Sequence, residues 1–191
     1  MSLKTLLTLS IVLVSIASFS QDSLRFGIKA GGNLSGLHTK SSAHSGGTGF
    51  HSGAVAEYQV STKFALSAEL LYNQKGGTYR VSSNPFTTVD ANLNYISVPI
   101  LGKINITKKF QFEIGPEVSF LIGEDYSYGG SEIVEFAEAK KLDFAGAGGL
   151  SYEFNSGLFI QGRYIYGLSK IYDERDYGNA CASLSLGYFF K

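Results

Sequence analysis

The sequence predicts an all-β protein, an eight-stranded up-and-down antiparallel transmembrane β-barrel with short periplasmic turns and long extracellular loops. Apolar and polar residues alternate along eight segments, which is the period of a strand with two unlike faces. The connections between these segments alternate between tight turns and long polar loops, as in outer-membrane barrels. An even number of strands returns the chain to the side where it started, so both ends are expected in the periplasm.

The composition favours a single folded domain. The chain has 191 residues, including 23 Gly, 12 Tyr and 14 Phe, with 17% charged residues and three prolines. Disordered chains are more polar and more charged than this. The formal net charge is zero, so the chain lacks the excess of basic residues that is typical of nucleic-acid-binding proteins. The single cysteine, Cys181, excludes an intramolecular disulfide framework and a multi-cysteine metal site.

The N-terminal segment has the features of a secretory signal peptide. Lys4 supplies a positive charge, residues 6–17 are mostly apolar, and Ser18 and Ser20 place small side chains before a cleavage site at Gln21. The apolar run is shorter than the about 20 residues that a membrane-spanning helix needs; an uncleaved anchor helix is the alternative. We therefore predict a cleaved signal peptide at residues 1–20, an outer-membrane β-barrel domain at residues 21–191, and a location in the bacterial outer membrane.

Each predicted strand shows the same two-sided pattern. Between positions 110 and 122 the even residues are mainly Phe, Ile and Val, whereas the odd residues include Gln111, Glu113 and Glu117. The predicted strands are 24–34, 49–60, 63–76, 93–106, 109–122, 141–154, 157–169 and 179–190. The predicted tight turns are 60–63, 106–109 and 154–157, and the predicted long loops are 35–48, 77–92, 123–140 and 170–178.

The polar face of the strands is predicted to point into the barrel. It carries many glycines, among them Gly27, Gly53 and Gly115, and a narrow eight-stranded interior needs small residues. Opposite charges that face one another across the lumen can pair, which lowers the cost of burying them. Turned inside out, the same alternation describes a soluble lipocalin-like barrel with an apolar interior, and this alternative stays open. The predicted lumen charge network is Arg25, Lys29, Glu57, Glu69, Lys103, Glu113, Glu117, Asp143, Glu153 and Arg163.

The aromatic residues of the apolar face cluster beside the predicted turns and the C-terminus. Aromatic rings form girdles where a barrel crosses the membrane–water interface, whereas a ligand-binding interior would not sort them to its rims. A second group, including Tyr72, Tyr126 and Tyr164, lies toward the long loops. The predicted membrane-interface aromatics at the turns are Tyr58, Phe64, Phe110, Phe112, Tyr152, Phe154, Tyr188 and Phe190.

Several short motifs, in this order, resemble the PorT-like outer-membrane β-barrel proteins, also described as outer membrane protein β-barrel domains. The resemblance covers residues 21–191 and implies an eight-stranded outer-membrane barrel. Some members of that family support protein secretion, and the family has no catalytic motif to carry over. The motifs are Phe26-Gly27-Ile28-Lys29-Ala30-Gly31-Gly32-Asn33-Leu34-Ser35, Glu69-Leu70-Leu71-Tyr72-Asn73-Gln74-Lys75-Gly76, Tyr95-Ile96-Ser97-Val98-Pro99-Ile100-Leu101, Gly115-Pro116-Glu117-Val118-Ser119 and Gly187-Tyr188-Phe189-Phe190-Lys191.

No constellation in the sequence has the spacing of a catalytic, cofactor or metal site. The histidines His38, His44 and His51 are six and seven positions apart in a Ser/Gly-rich segment, which does not match a preformed zinc site, and we expect them to be solvated. A rim enzyme could use His38 with Ser41, Ser42 and Asp176, but nothing orients these residues. We therefore expect no catalytic residues, no cofactor, no metal and no enzymatic activity.

The expected function is structural or recognitional. The long loops, above all the acidic third loop at 124–141, sit where rigid scaffolds usually carry recognition. The partners that we expect are outer-membrane lipid and, at the long loops, a protein or lipopolysaccharide, with no nucleic acid and a monomeric chain. The lumen charges indicate a salt-bridged plug in preference to a narrow conducting pore. A component of a secretion apparatus and a soluble periplasmic lipocalin-like binder remain as alternatives.

Overall fold

The computed structural model describes residues 23–38, 46–80, 88–128, 131–132, 140–169 and 178–190. The predicted signal peptide lies outside these ranges, as does part of each of the four predicted long loops. Within the described residues, no helix is both long enough and apolar enough to cross a membrane.

The described chain forms eight long strands and one strand of two residues. Among the described strands, the short strand β6 pairs only with the outer end of β5, through Ser127–Glu132 and Tyr128–Ser131. The strands are β1 (Leu24–His38), β2 (Gly47–Gln59), β3 (Phe64–Arg80), β4 (Thr88–Asn105), β5 (Phe110–Tyr128), β6 (Ser131–Glu132), β7 (Leu142–Glu153), β8 (Leu158–Gly167) and β9 (Gly178–Phe189).

The eight long strands close into an antiparallel barrel. Seven pairs join neighbours along the chain, with β5 pairing β7 across the short β6, and the eighth pair joins β1 to β9. Each backbone ladder is antiparallel, so the chain runs up and down around the ring. The predicted fold class is confirmed.

Three tight turns link the strands at one rim, which we call the turn end, and they occupy the predicted positions 60–63, 106–109 and 154–157. In the second turn, the Thr107 hydroxyl oxygen accepts hydrogen bonds from the backbone N–H groups of Lys109 and Phe110. In the third, Gly157 has a φ of +90°, a conformation that glycine adopts without steric cost. Residues within each of these two turns therefore favour the reversal of the chain there.

Strands β1 to β5 reach further toward the opposite rim, the loop end, than the sequence predicts. Residues 77–80 and 88–92 were predicted as loop, but they pair with each other up to Arg80–Thr88. Likewise, residues 123–128 pair with β4 as far as Val89–Tyr128. The predicted loop bounds 35–48, 77–92 and 123–140 are wrong by several residues, because backbone pairing tolerates the polar and glycine residues that suggested loops. The bounds of the fourth predicted loop, 170–178, agree with the ends of β8 and β9 to within two residues.

A β-bulge in β5 reverses the inside and outside of its outer end. Tyr95 of β4 pairs with Leu121, but the preceding Asn94 pairs with Gly123, so Ile122 has no partner in the ladder. An extra residue shifts side-chain alternation by one position. Tyr126 consequently faces inward and is buried, although the sequence placed it with the aromatics near the long loops.

Candidate functional site: the charged lumen

The barrel has a polar interior and an apolar exterior. Odd-numbered residues of the long strands point inward and even-numbered residues point outward, up to the bulge in β5. This is the reverse of a lipocalin-like barrel, whose binding cavity is apolar, and it suits a bilayer as the surrounding solvent. Exposed apolar residues on the outside include Ile28, Leu34, Phe50, Leu70, Ile100, Ile114, Phe120, Phe144, Ile160, Leu184 and Leu186.

At the turn end of the lumen, Arg25 of β1 bridges two carboxylates. Its guanidinium donates hydrogen bonds of 2.6 Å to Glu57 and to both carboxylate oxygens of Glu153. Lys103 of β4 donates to the other oxygen of Glu57 at 2.7 Å. The Arg25 guanidinium also lies 4.0 Å from the centroid of the Phe189 ring, a cation–π contact. This cluster joins strands β1, β2, β4, β7 and β9.

In the middle of the lumen, Arg163 of β8 holds two glutamates. It donates two hydrogen bonds of 2.8 Å to Glu69 and one of 2.8 Å to Glu113. Lys29 forms a 2.8 Å ion pair with Glu69 and donates to Gln161 at 2.7 Å, and Gln161 in turn donates to Glu113 at 2.8 Å. All five side chains are buried, so the charges are compensated by one another and by the glutamine.

Toward the loop end, a fifth basic side chain joins the network. Lys75 of β3 donates to Glu117 of β5 at 2.8 Å, and both side chains are fully buried. Asp143 is also buried and accepts a hydrogen bond from the Ser169 hydroxyl. The predicted lumen charge network does not include Lys75. Its odd position in the predicted strand 63–76, the same as that of Glu69, would have indicated that it points inward.

A belt of neutral polar side chains crosses the lumen between these clusters. His51 contacts Asn33 through Nδ1 at 2.8 Å and Ser185 through Nε2 at 2.7 Å. Asn33 donates to Asn73 at 2.8 Å. Because the Asn33 atom facing His51 is its carbonyl oxygen, Nδ1 of His51 carries the proton and Nε2 accepts from Ser185. The expectation that His51 is solvated is wrong, because its odd position in β2 points it inward.

The belt continues to the loop-end charges. Asn73 donates to the Ser97 hydroxyl at 3.3 Å, and Ser97 lies 2.8 Å from the hydroxyl of Ser119. Ser119 then donates to Glu117 at 3.2 Å. The chain of hydrogen bonds therefore ties strands β9, β2, β1, β3, β4 and β5 together on the inside.

Part of the lumen is apolar. Phe159 and Phe189 pack with ring centroids 4.9 Å apart, next to Val55, and all three are buried. A second cluster contains Leu101, Ala145, Ala147, Ile165 and Cys181. These residues share the inward parity, and they fill space between the charged clusters that polar groups would otherwise have to occupy.

The predicted lumen charges all lie on the inward face of the strands. Eight of them are buried, whereas Arg25 and Glu153, at the mouth of the turn end, are partly exposed. The predicted interface aromatics all lie on the outward face beside the turns or the C-terminus. Phe110 and Phe112 are half-buried, and the others are exposed: Tyr58, Phe64, Tyr152, Phe154, Tyr188 and Phe190.

The residues considered for chemistry do not form a site in the described part of the chain. His44, Ser41, Ser42 and Asp176 lie outside the described residues. Among the residues that are described, no group of three or more His, Cys, Asp or Glu side chains could hold a metal ion.

Comparisons with known proteins agree with this architecture. The chain aligns with Ail, the attachment invasion locus protein of Yersinia pestis, with 17% identity and a TM-score of 0.55 over 88% of this chain and 99% of that one. It aligns with Neisserial surface protein A with 15% identity and a TM-score of 0.56, over 86% of this chain and 97% of that one. At these identities the likeness concerns the fold alone. None of the curated proteins matches the chain. A family model described as outer membrane protein beta-barrel domain matches residues 19–173, and the chain belongs to that family.

Proposed function

We propose that this protein is a non-enzymatic, monomeric outer-membrane barrel whose lumen is plugged and whose loops are presented outside the cell for structural or recognition roles. The observation that carries the proposal is the cross-lumen pairing by Arg163, which joins β8 to β3 and β5. Together with the Arg25 and Lys75 clusters, it places ion pairs at three levels along the barrel axis.

The plug rests on the mutual compensation of the charges. Arg25, Lys29, Lys75, Lys103 and Arg163 each hold a carboxylate at 2.8 Å or less. A permeating ion would have to displace these partners, and separating a buried ion pair costs several kcal/mol. Rigid pairing of this kind suits a membrane anchor better than a pore.

Conductance tests the plug. Purified protein inserted into planar bilayers in concentrated KCl is expected to give no steady conductance, with a general porin as the positive control. Stable openings of uniform size would overturn the proposal.

Recognition by the loops is the second half of the proposal. Ail of Yersinia pestis has a structure in complex with the heparin analogue sucrose octasulfate, so a barrel of this shape is compatible with a bound ligand. Crosslinking on whole cells, read by mass spectrometry, should capture a partner that is lost when residues 133–139 of the third long loop are replaced by a short Gly-Ser linker. The same variant should keep the heat-dependent shift in gel mobility that marks a folded barrel. If the unsubstituted protein and the loop variant capture the partner equally, that loop has no role in recognition.

The resemblance of several motifs to PorT-like proteins favours a second candidate, a component of a secretion apparatus. A deletion strain would then lose exported proteins from the medium while keeping an intact outer membrane. Unchanged secretion would remove this candidate.

We also propose that the signal peptide is cleaved before Gln21. The intact mass of protein purified from outer membranes should lack the first 20 residues, and a mass that retains them would indicate an uncleaved anchor.

A further inference from the structure

Three lysines lie in two neighbouring turns at the turn end, and we call them the basic patch. Lys63 ends the turn between β2 and β3, and Lys108 and Lys109 lie in the turn between β4 and β5. Hydrogen bonds hold these turns side by side, because Asn105 donates from its backbone N–H to Lys63 O at 2.9 Å and from its side chain to Thr62 O at 3.0 Å. Lys63 and Lys108 are exposed and Lys109 is half-buried.

Nearby carboxylates are already occupied by other cations. Glu57 is paired with Arg25 and Lys103, and Glu153 is paired with Arg25. The three turns themselves contain no Asp or Glu. Within the described residues, no carboxylate lies within 4.0 Å of the ammonium groups of these lysines. Among the described residues, these lysines therefore have no carboxylate partner.

The aromatic residues next to the patch indicate its depth in an outer-membrane barrel. Lys63 directly precedes Phe64, which is exposed on the outer face, and Lys109 directly precedes Phe110. Aromatic rings on the lipid-facing side of a barrel collect at the membrane–water interface. A lysine next to such a ring, on the side of the turn, is one residue further from the bilayer centre. It is therefore expected to reach the phosphate layer, where anionic lipids attract basic side chains.

We propose that Lys63, Lys108 and Lys109 bind the phosphodiester headgroup of an anionic phospholipid, in the leaflet that the turn end faces. Lysine ammonium groups bind phosphate as point charges without requiring a fixed angle, which suits side chains on short turns. The inference depends on the barrel spanning a membrane, and it is independent of whether the lumen conducts or the loops bind a partner.

The absence of tryptophan from the chain allows a direct test. The variant Phe110→Trp places one fluorophore beside the patch. It is reconstituted into vesicles of phosphatidylcholine and phosphatidylglycerol in which either one or the other lipid is brominated, at equal mole fraction. Brominated phosphatidylglycerol is expected to quench the tryptophan with an apparent association at least about threefold stronger than brominated phosphatidylcholine.

Neutralising the patch separates this proposal from a general preference for anionic lipid. Lys63→Gln, Lys108→Gln and Lys109→Gln, added together to the Phe110→Trp protein, should bring the ratio of the two associations to about one. Lys140→Gln with Lys141→Gln, at the loop end, should leave the ratio unchanged. The heat-dependent gel shift verifies that each variant is folded. A ratio near one in the unneutralised protein, or a ratio that survives the triple substitution, would overturn the proposal.

Discussion

Arg163 and Glu69 face each other across the barrel and form two parallel hydrogen bonds, Nη1 to Oε2 and Nη2 to Oε1, each of 2.8 Å. Their side chains are 2% and 0% exposed. This two-point geometry is the strong form of a charge-assisted interaction, and it links β8 to β3, which are not neighbours in the ring. The pair therefore braces the barrel across its diameter.

Removing the guanidinium should destabilise the barrel strongly. In Arg163→Gln, Glu69 loses its two-point partner and Glu113 also loses a hydrogen bond. Breaking a buried pair in this way costs about 3–5 kcal/mol of unfolding free energy. Urea titration in detergent or lipid, followed by gel mobility, measures the loss.

Two companion variants sharpen that measurement. Arg163→Lys keeps the charge but cannot form the two-point contact. Its unfolding free energy should therefore lie between those of the unsubstituted protein and Arg163→Gln. Lys141→Gln removes an exposed charge at the loop end and should change stability by less than about 0.5 kcal/mol. Similar losses in Arg163→Gln and Lys141→Gln would show that the brace contributes nothing.

His51→Leu tests the polar belt. The substitution leaves the Asn33 carbonyl oxygen and the Ser185 hydroxyl without their His51 partner, and an unsatisfied buried polar group costs about 1–3 kcal/mol. Ser52→Leu is the matched control, because the next residue points outward and is exposed. The urea midpoint should fall for His51→Leu and hold for Ser52→Leu. If both midpoints hold, His51 is not part of a stabilising belt.

Adjacent glycines in β1 should respond in opposite ways to alanine. A Cβ on Gly31 would overlap the carbonyl oxygen of Leu184 and come within 2.7 Å of His51 Cε1, whereas a Cβ on Gly32 meets no atom within 4 Å. Overpacking costs about 1–3 kcal/mol, so Gly31→Ala should lower the urea midpoint. Gly32→Ala should leave it unchanged or raise it slightly, since alanine loses less entropy on folding. Equal midpoints would mean that Gly31 is not held closely by its neighbours.

Cys181 reports on access to the lumen. Cys181 is 1% exposed and lies in the apolar cluster with Leu101 and Ile165. A water-soluble maleimide should therefore label it only after the barrel is unfolded. Asn155→Cys in a Cys181→Ser background places a thiol on an exposed turn and should react at once. Rapid labelling of Cys181 in the folded protein would show that water and solutes enter this part of the barrel.

The turns were predictable because their determinants are local. Thr107 and Gly157 act within a few residues of themselves, and the sequence contains that information directly. The outer ends of the strands were not predictable in the same way. Their pairs, such as Arg80–Thr88 and Val89–Tyr128, depend on the register of a neighbouring strand, which the polarity of a single segment does not indicate.

Odd or even position along a strand predicted whether a side chain points into the barrel, but it did not predict what that side chain does there. Lys75 and His51 point inward at odd positions, and the same rule that selected Glu69 would have selected them. Phe159 and Phe189 also follow that rule, but their apolar character conflicts with a wholly polar lumen. The bulge at Ile122 has no signature in the alternation before it, so the inward position of Tyr126 required the structure.

The pairing of β1 with β9 has a consequence for the order of assembly. It brings Ile28 opposite Tyr188, near the two ends of the described chain, whereas the turn-end hairpins join strands that are close in sequence. Contacts between distant segments form slowly, because a long loop must first be closed. Until the last strand arrives, β1 and β8 each leave a row of backbone groups open to other chains. A chain that stops short of β9 is thus expected to aggregate or be degraded. The pairing of β1 with β9 therefore makes a closed barrel depend on synthesis of the complete chain.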